Sequence, residues 1–161
     1  HSETLRLNQT IKNLNILCRS ISFFKNVRFI VTSPSADSKS IYIKKKLLEL
    51  NRKNKNLIYF DSLGHREYLS FLKICKIIIG NSSSGIIEAP SLGTYTINVG
   101  IRQQGRERAK SVYDVEFNEK QIKFKINKLL KLKKKNYKNP YFQYLKPSNV
   151  FIKKLNKIIY V

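Results

Sequence analysis

The chain has 161 residues, of which 42% are hydrophobic, and this is enough to bury the core of one globular domain covering residues 1–161. No apolar run reaches the length of a membrane span and no signal-peptide pattern opens the chain, so we expect no membrane partner. The formal net charge of +22 permits nucleic-acid binding, but the lysines are spread over the whole sequence, and we therefore expect no nucleic-acid partner.

The first half of the chain predicts alternating helices and strands. Apolar residues recur at helical spacing in residues 7–24, and a strand is predicted at residues 27–32. A second helix is predicted at residues 40–52 and a second strand at residues 56–60. Residues 61–72 begin as a loop and continue as a helix, because a glycine allows a turn just before the apolar residues.

The second half of the chain continues this alternation. A β-branched run at residues 77–79 predicts a buried strand, and residues 86–89 suit the first turns of a helix. Further strands are predicted at residues 96–99 and 111–115, and Asn118 is expected to cap a helix. The alternation indicates an α/β domain in which a parallel sheet carries helices on both faces.

The end of the chain is strongly basic. We expect residues 131–138 to form a solvated turn and residues 148–160 to form an amphipathic helix. The chain starts at His1 without an initiator methionine, and we therefore expect it to be part of a longer protein.

Several kinds of site lack their sequence signature. The chain contains no His/Cys metal spacing, no nucleophile elbow and no Walker-type GK[ST], so we expect no metal and no cofactor. Cys18 and Cys75 lie in apolar patterns of helical type, which favours buried free thiols and a cytoplasmic location.

The third predicted strand ends in a loop of small polar residues that leads into a helix. Unpaired N–H groups at a helix N-terminus attract anions, and hydroxyls of Ser82, Ser83 and Ser84 add donors. Gly85 allows the backbone to approach a ligand closely. Glu88, about one turn further on, repels phosphate but can accept hydrogen bonds from a ribose diol, so the set favours a nucleotide. Alternatively, the serines form only an N-cap and a turn, because serine is a preferred N-cap residue.

A second polar loop, residues 100–108, carries three arginines. The fork geometry of a guanidinium suits phosphate oxygens, so Arg102, Arg106 or Arg108 could lie beside a diphosphate. An arginine cluster on its own is more often a solvated surface.

Residues 80–115 read GNSSSGIIEAPSLGTYTINVGIRQQGRERAKSVYDV. This stretch resembles the nucleotide-binding half of the UDP-N-acetylglucosamine 2-epimerases, and above all their hydrolysing branch, in which GNSSSGI-E-P precedes a G-RQ-GR-RA-SV-D pattern. That branch makes N-acetylmannosamine or a related sugar for nonulosonate (sialic-acid-type) synthesis. The resemblance implies a Rossmann-like domain that forms the C-terminal half of a GT-B-type two-domain fold.

The resemblance also implies how a UDP-sugar binds in the cleft between this domain and the N-terminal domain, which this chain lacks. Tyr68 would stack on the uracil, although it fits equally well on the core face of its helix. Glu88 would hold the ribose hydroxyls. The surroundings of the diphosphate are assigned to small or cationic residues, namely Arg66, Ser82, Ser83, Ser84, Gly85 and Arg102.

His1 matches a histidine that the family places beside the sugar nucleotide and links to catalysis, while Ser2 departs from the usual proline. Without the resemblance, His1 is more simply a frayed terminal residue. We expect the isolated chain to be inactive and the full-length enzyme, hydrolysing or non-hydrolysing, to be a homo-oligomer.

Two other classes of protein remain open. A GT-B-type glycosyltransferase binds a nucleotide sugar in a similar C-terminal half, although the RQ-GR-RA segment argues against it. A basic module for nucleic acid or membrane surfaces would explain the charge but not the arrangement of the serines and Glu88.

Overall fold

The computed structural model of the protein describes residues 7–34, 40–142, 151–152 and 155–156. His1 and most of the helix predicted at residues 148–160 lie outside this part, and the described residues of that helix are helical. In chain order the elements are α1 (Leu7–Ser22), β1 (Phe29–Thr32), α2 (Ser40–Lys53), β2 (Leu57–Phe60), α3 (His65–Ile74), β3 (Ile77–Gly80), α4 (Ser84–Ile87), a 3-10 helix (Ala89–Leu92), β4 (Tyr95–Val99), β5 (Val112–Val115) and α5 (Glu119–Lys131).

Local sequence signals explain where several helices begin. The Asn118 side chain accepts a hydrogen bond of 3.1 Å from the Gln121 N–H and caps α5, as predicted. Gly64 precedes α3 with a φ of 71°, a backbone conformation that glycine adopts without strain. Among the helices of the described residues, none combines the length and apolar character needed to cross a bilayer.

All strand pairs in the described residues are parallel. β1 pairs with β2, and β4 lies between β3 and β5. Along β4, the side chains of Tyr95, Ile97 and Val99 join a core cluster with residues of α5. Thr96, which points to the other face, contacts α4 at Gly85. Helices therefore cover both faces of this sheet, and the predicted fold class is confirmed.

The strands form two separate sheets, β1–β2 and β3–β4–β5, instead of one continuous sheet. The β3 side chains Ile77, Ile78 and Ile79 are therefore only half-buried, whereas every residue of β4 is buried. The strand predicted at residues 77–79 is confirmed, but the prediction that it is buried is wrong, because β3 has a neighbouring strand on one side only among the described residues.

One further expectation is corrected and another is extended. The helix predicted at residues 86–89 begins earlier, at Ser84, and gives way to the 3-10 helix at Ala89, because Pro90 has no N–H to continue an α-helix. The basic stretch 131–138 is exposed except at half-buried Tyr137, as expected of a solvated segment. It is also anchored, because the Lys134 ammonium donates hydrogen bonds to backbone carbonyls at the end of α3.

Candidate functional site

The candidate site lies where β3 ends and the loop of Ser82, Ser83 and Ser84 begins, which we call the serine loop. Tyr68, in the second turn of α3, reaches Ser84 at the start of α4, and Tyr68 Oη and Ser84 Oγ share a hydrogen bond of 2.6 Å. In open parallel sheets the carboxyl ends of the strands form the usual ligand edge. The structure thus brings together two of the residues that the sequence assigns to one ligand.

Glu88 lies one helical turn after Ser84, and its N–H donates to the Ser84 carbonyl at 3.0 Å. Its Oε2 atom is buried and has no hydrogen-bond partner among the described residues. A buried carboxylate oxygen without a donor is costly, so an external donor would relieve that cost. Because Glu88 follows Ser84 by one helical turn, both residues lie on one side of the sheet, as a shared ligand requires.

Electrostatics links Tyr68 to the same cluster. Burial raises the pKa of the Tyr68 hydroxyl above its ordinary value, the hydrogen bond with Ser84 lowers it, and the charge of Glu88 raises it further. The phenol is therefore neutral at physiological pH. It retains an aromatic face and a hydroxyl that can both donate and accept.

The serine loop is more than a helix cap. Ser83 occupies the N-cap position of α4, but its side chain makes no capping hydrogen bond. Ser82 uses its Oγ to accept a weak hydrogen bond of 3.4 Å from the Ser84 N–H. The N-cap interpretation therefore does not account for the Ser83 hydroxyl. Because α4 has only four residues, hydroxyls, and not a helix dipole, are the groups that this loop can offer to an anion.

Gly85 is needed for packing. A Cβ atom at this position would lie 2.7 Å from Thr96 Cγ2, closer than side chains can approach. The Thr96 hydroxyl also donates to the Gly85 carbonyl at 2.6 Å. The structure therefore gives a reason for this glycine that differs from the predicted approach of the backbone to a ligand.

Residues 100–108, which we call the arginine loop, are hydrogen-bonded to Asn81, the residue before the serine loop. Arg102 Nη1 and Gln103 Nε2 both donate to the Asn81 carbonyl, at 3.0 Å and 2.8 Å. Gln103 is buried, and its Oε1 atom has no hydrogen-bond partner among the described residues. Sequence reasoning overlooked Gln103, although the RQ pair in the motif pointed to it.

The other arginines differ in their surroundings. Arg108 donates hydrogen bonds to the Gln103 and Arg106 carbonyls. Its Nε atom also forms an ion pair with Asp114 at 2.7 Å, but this contact does not have hydrogen-bond geometry. It therefore stabilises the loop itself. Arg66, in the first turn of α3, is exposed and makes no side-chain hydrogen bond or ion pair with the described residues.

Asn139 supports the site from a distant part of the sequence. Its Nδ2 donates to the Ile87 carbonyl at 2.8 Å and to Ser91 Oγ at 2.6 Å. These bonds join Asn139 to the end of α4 and to the 3-10 helix that follows it. No sequence signal indicated this role, because Asn139 lies in a lysine-rich stretch about fifty residues away.

The model of the UDP-N-acetylglucosamine 2-epimerase family matches residues 1–148. The chain belongs to this family. This epimerase-family chain is 40% identical over 120 residues to a GDP/UDP-N,N'-diacetylbacillosamine 2-epimerase (hydrolyzing) of Campylobacter jejuni, with 74% of this chain and 31% of that protein covered. It is 41% identical over 128 residues to the polysialic acid biosynthesis protein P7 of Escherichia coli, with 79% and 32% covered. It spans about a third of the length of these relatives.

A solved structure gives the same picture of the fold. The epimerase-family domain matches the crystal structure of the Methanocaldococcus jannaschii UDP-GlcNAc 2-epimerase in complex with UDP-GlcNAc and UDP, with a TM-score of 0.67 and 17% identity. The match covers 91% of this chain and 41% of that chain. The domain therefore has the fold of one part of a GT-B-type epimerase.

Proposed function

We propose that this chain is the UDP-binding half of a hydrolysing UDP-sugar 2-epimerase. The full-length enzyme converts UDP-N-acetylglucosamine or a 2,4-diacetamido relative into UDP and the free 2-epimeric sugar. Support comes from the family match and from the hydrolysing relative of Campylobacter jejuni. One observation carries the proposal. The Oε2 of Glu88 is buried without a hydrogen-bond partner in the described part of the chain, and it lies close to the hydrogen bond between Tyr68 and Ser84.

Each part of the cluster suits a different part of UDP. Glu88 accepts hydrogen bonds from the ribose hydroxyls, and Tyr68 offers its ring to the uracil. Ser83 and Ser84 supply donors for the diphosphate, and the Arg102 guanidinium adds positive charge beside the same loop. The uncapped hydroxyl of Ser83 and the bond from Arg102 to the Asn81 carbonyl support this assignment.

The contribution of this half to catalysis is stabilisation of the leaving group. In the proposed reaction the sugar loses the C2 proton and the C1-linked UDP, which leaves a glycal, and water then adds to give the 2-epimer. The negative charge on the diphosphate grows as the C1–O bond breaks, so the serine and arginine donors bind it more tightly in the transition state. We assign the carboxylates that move protons to the N-terminal domain and place His1 near the junction of the diphosphate and the sugar.

The role of Glu88 is tested by calorimetry on the full-length protein. We expect Glu88→Ala to weaken UDP binding by about 1–3 kcal/mol, the range for hydrogen bonds to a charged group. Glu116→Ala is the matched control, because it removes the same charge from an exposed position. Wild-type protein should prefer UDP to 2′-deoxy-UDP, and Glu88→Ala should lose that preference. An unchanged preference in the variant contradicts the ribose assignment.

The reaction itself is tested by mass spectrometry of the products of full-length protein with each UDP-sugar. A free 2-epimeric sugar together with UDP is the expected outcome. Release of a UDP-linked epimer contradicts the hydrolysing assignment, and transfer of the sugar to an acceptor favours the glycosyltransferase alternative. The free thiols of Cys18 and Cys75 support the proposed cytoplasmic location, and we propose that the full-length enzyme is a homo-oligomer.

A further inference from the structure

Two neighbouring residues of the arginine loop donate to the same backbone oxygen. Arg102 Nη1 lies 3.0 Å from the Asn81 carbonyl oxygen, and Gln103 Nε2 lies 2.8 Å from it. A carbonyl oxygen has two lone pairs, so both hydrogen bonds can exist at once. Asn81 is buried, so donors from the protein take the place of water at this oxygen.

The two donors lie in different surroundings. Gln103 is buried, with 2% of its surface exposed, whereas the residue before it, Arg102, is exposed. Arg102 also carries a positive charge, which a diphosphate attracts more strongly than a neutral amide. Arg102 is thus the donor that can turn from the carbonyl to an anionic ligand, while the buried amide of Gln103 stays in place.

The backbone of Gln103 is held independently of Arg102. Arg108 Nη2 donates to the Gln103 carbonyl at 2.9 Å, and Arg108 Nε forms its ion pair with Asp114 of β5. Asp114 in turn accepts a hydrogen bond of 2.6 Å from Asn98 Nδ2 of β4. A chain of polar contacts therefore fixes Gln103 to the ends of two strands, whatever Arg102 does.

We propose that Gln103 is a positioning residue for Arg102. Gln103 keeps one donor on the Asn81 carbonyl, so Arg102 can leave that carbonyl for a diphosphate at a lower cost. The new bond is stronger than the old one, because hydrogen bonds between two charged groups are roughly twice as strong as those between neutral groups. This role rests on the proposed UDP site and adds a residue to it that does not touch the ligand.

The second polar atom of the Gln103 amide distinguishes this role from simple stabilisation. Its Oε1 is buried and has no hydrogen-bond partner in the part of the chain that the structure describes. Gln103→Met removes this costly acceptor together with the Nε2 donor and keeps a side chain of similar length, while Arg102 still donates to Asn81. We therefore expect the urea midpoint to be kept in this variant and the affinity for a diphosphate to fall.

Calorimetry on the full-length protein tests the proposal with UDP and, by displacement, with uridine, which has no diphosphate. Gln103→Met should raise the Kd for UDP about tenfold, as expected for about one hydrogen bond, and leave the Kd for uridine unchanged. Gln104→Met is the matched control, because Gln104 is the next residue and is exposed. Unchanged UDP affinity in Gln103→Met overturns the proposal, and so does an equal loss for UDP and uridine.

A double-mutant cycle shows whether Gln103 acts through Arg102. Arg102→Met should weaken UDP binding, and adding Gln103→Met to it should cause no further loss. A further tenfold loss in the double variant overturns the proposal. Wild-type protein that does not bind UDP, or an Arg102→Met variant with unchanged affinity, contradicts the proposed UDP site itself and this role with it.

Side-chain NMR of the wild-type protein keeps the test valid if Gln103→Met does not fold. Binding of UDP should shift the guanidinium resonances of Arg102. The amide protons of Gln103 should stay protected from exchange with and without UDP, because their carbonyl partner is kept. Rapid exchange of these protons in the UDP complex, or unshifted Arg102 resonances, overturns the proposal.

Discussion

At the residue scale, Tyr68 combines an aromatic ring with a neutral hydroxyl at a single position. Burial raises its pKa, the charge of Glu88 adds to this effect, and the hydroxyl hydrogen-bonds to Ser84. The hydroxyl therefore helps to fix the first residue of α4, and the ring is the part that we propose for contact with the uracil. These two contributions can be separated by substitution.

We expect Tyr68→Phe in the full-length protein to weaken UDP binding by about 0.5–1.5 kcal/mol, because it removes one hydrogen bond and keeps the ring. Tyr68→Ala should cost about 1–3 kcal/mol more, because it also removes base stacking. Calorimetry with UDP measures both losses. Tyr137→Phe is the control, since Tyr137 packs beside Tyr95 in the core on the α5 side of the sheet. Unchanged affinity in Tyr68→Ala rules out the uracil assignment.

Burial also controls the chemistry of Cys18. It raises the pKa of the thiol from 9.0 to about 11. Because the folded pKa exceeds the unfolded one, the stabilising contribution of Cys18 is complete below about pH 9 and is lost as the pH rises towards 11.

At pH 8 the Cys18 thiolate is about 100-fold rarer in folded than in unfolded protein, so iodoacetamide should label it at least that much more slowly. Mass spectrometry of native and urea-unfolded samples, labelled in parallel, measures the two rates. Cys18→Ser protein confirms which labelled peptide is followed. Equal rates in the two samples show that the thiol is not buried.

At the element scale, the contact of α4 with β4 positions Ser84 and Glu88. Gly85 allows the close approach, and Thr96 supplies both the methyl group that limits it and the hydroxyl that bonds to the Gly85 carbonyl. A side chain at Gly85 forces the two elements apart. We therefore expect both the stability of the domain and its affinity for UDP to fall.

Gly85→Ala should lower the free energy of unfolding by about 1–3 kcal/mol, the usual cost of overpacking. Thr96→Ser removes the opposing methyl group and keeps the hydroxyl, so the double variant should recover part of the loss. Urea denaturation of the wild type, both single variants and the double variant gives the coupling free energy. Additive losses contradict a direct clash.

The segment after α5 is joined to the end of α3 by one ammonium group. Lys134 Nζ donates to the Lys73 carbonyl at 2.6 Å and to the Cys75 carbonyl at 2.8 Å. A cation is favourable at a helix C-terminus, where carbonyls lack helical partners. Partial burial lowers the pKa of Lys134 below its ordinary value.

We expect Lys134→Ala to lower the free energy of unfolding by about 1 kcal/mol through these lost bonds. Lys133→Ala is the matched control, because the Lys133 side chain is exposed. The backbone carbonyl of Lys133, which accepts a hydrogen bond from Tyr95, is kept in this variant. Thermal unfolding of both variants measures the difference. Equal midpoints show that the bonds of Lys134 add no stability.

The elements themselves could be predicted, because β-branched runs and helical spacing are local signals. The strands at residues 96–99 and 111–115 and the cap at Asn118 are confirmed by the structure. Contacts between distant segments carry no such signal. The bonds of Lys134 to α3 and of Asn139 to Ile87 join residues about fifty or sixty positions apart, and sequence periodicity gives no indication of them.

At the scale of the whole molecule, the proposed function places the UDP-binding groups in this domain. The chain spans about a third of the length of its relatives, and we assign the catalytic carboxylates to the remainder. Binding and turnover should therefore separate when the domain is studied alone.

The isolated 161-residue chain should show no turnover of UDP-N-acetylglucosamine, while the full-length protein releases UDP and a free amino sugar. A coupled assay for UDP, run on both proteins at equal concentration, measures the difference. Turnover by the isolated chain contradicts the assignment of the catalytic carboxylates to the N-terminal domain.

The most direct test of UDP binding by this domain is a crystal structure of the full-length protein with UDP. We predict ribose hydroxyls within hydrogen-bond distance of Glu88, the uracil against the ring of Tyr68 and the diphosphate at Ser83 and Ser84. UDP bound at another edge of the sheet, or a Glu88 carboxylate bonded only to protein groups, contradicts this prediction.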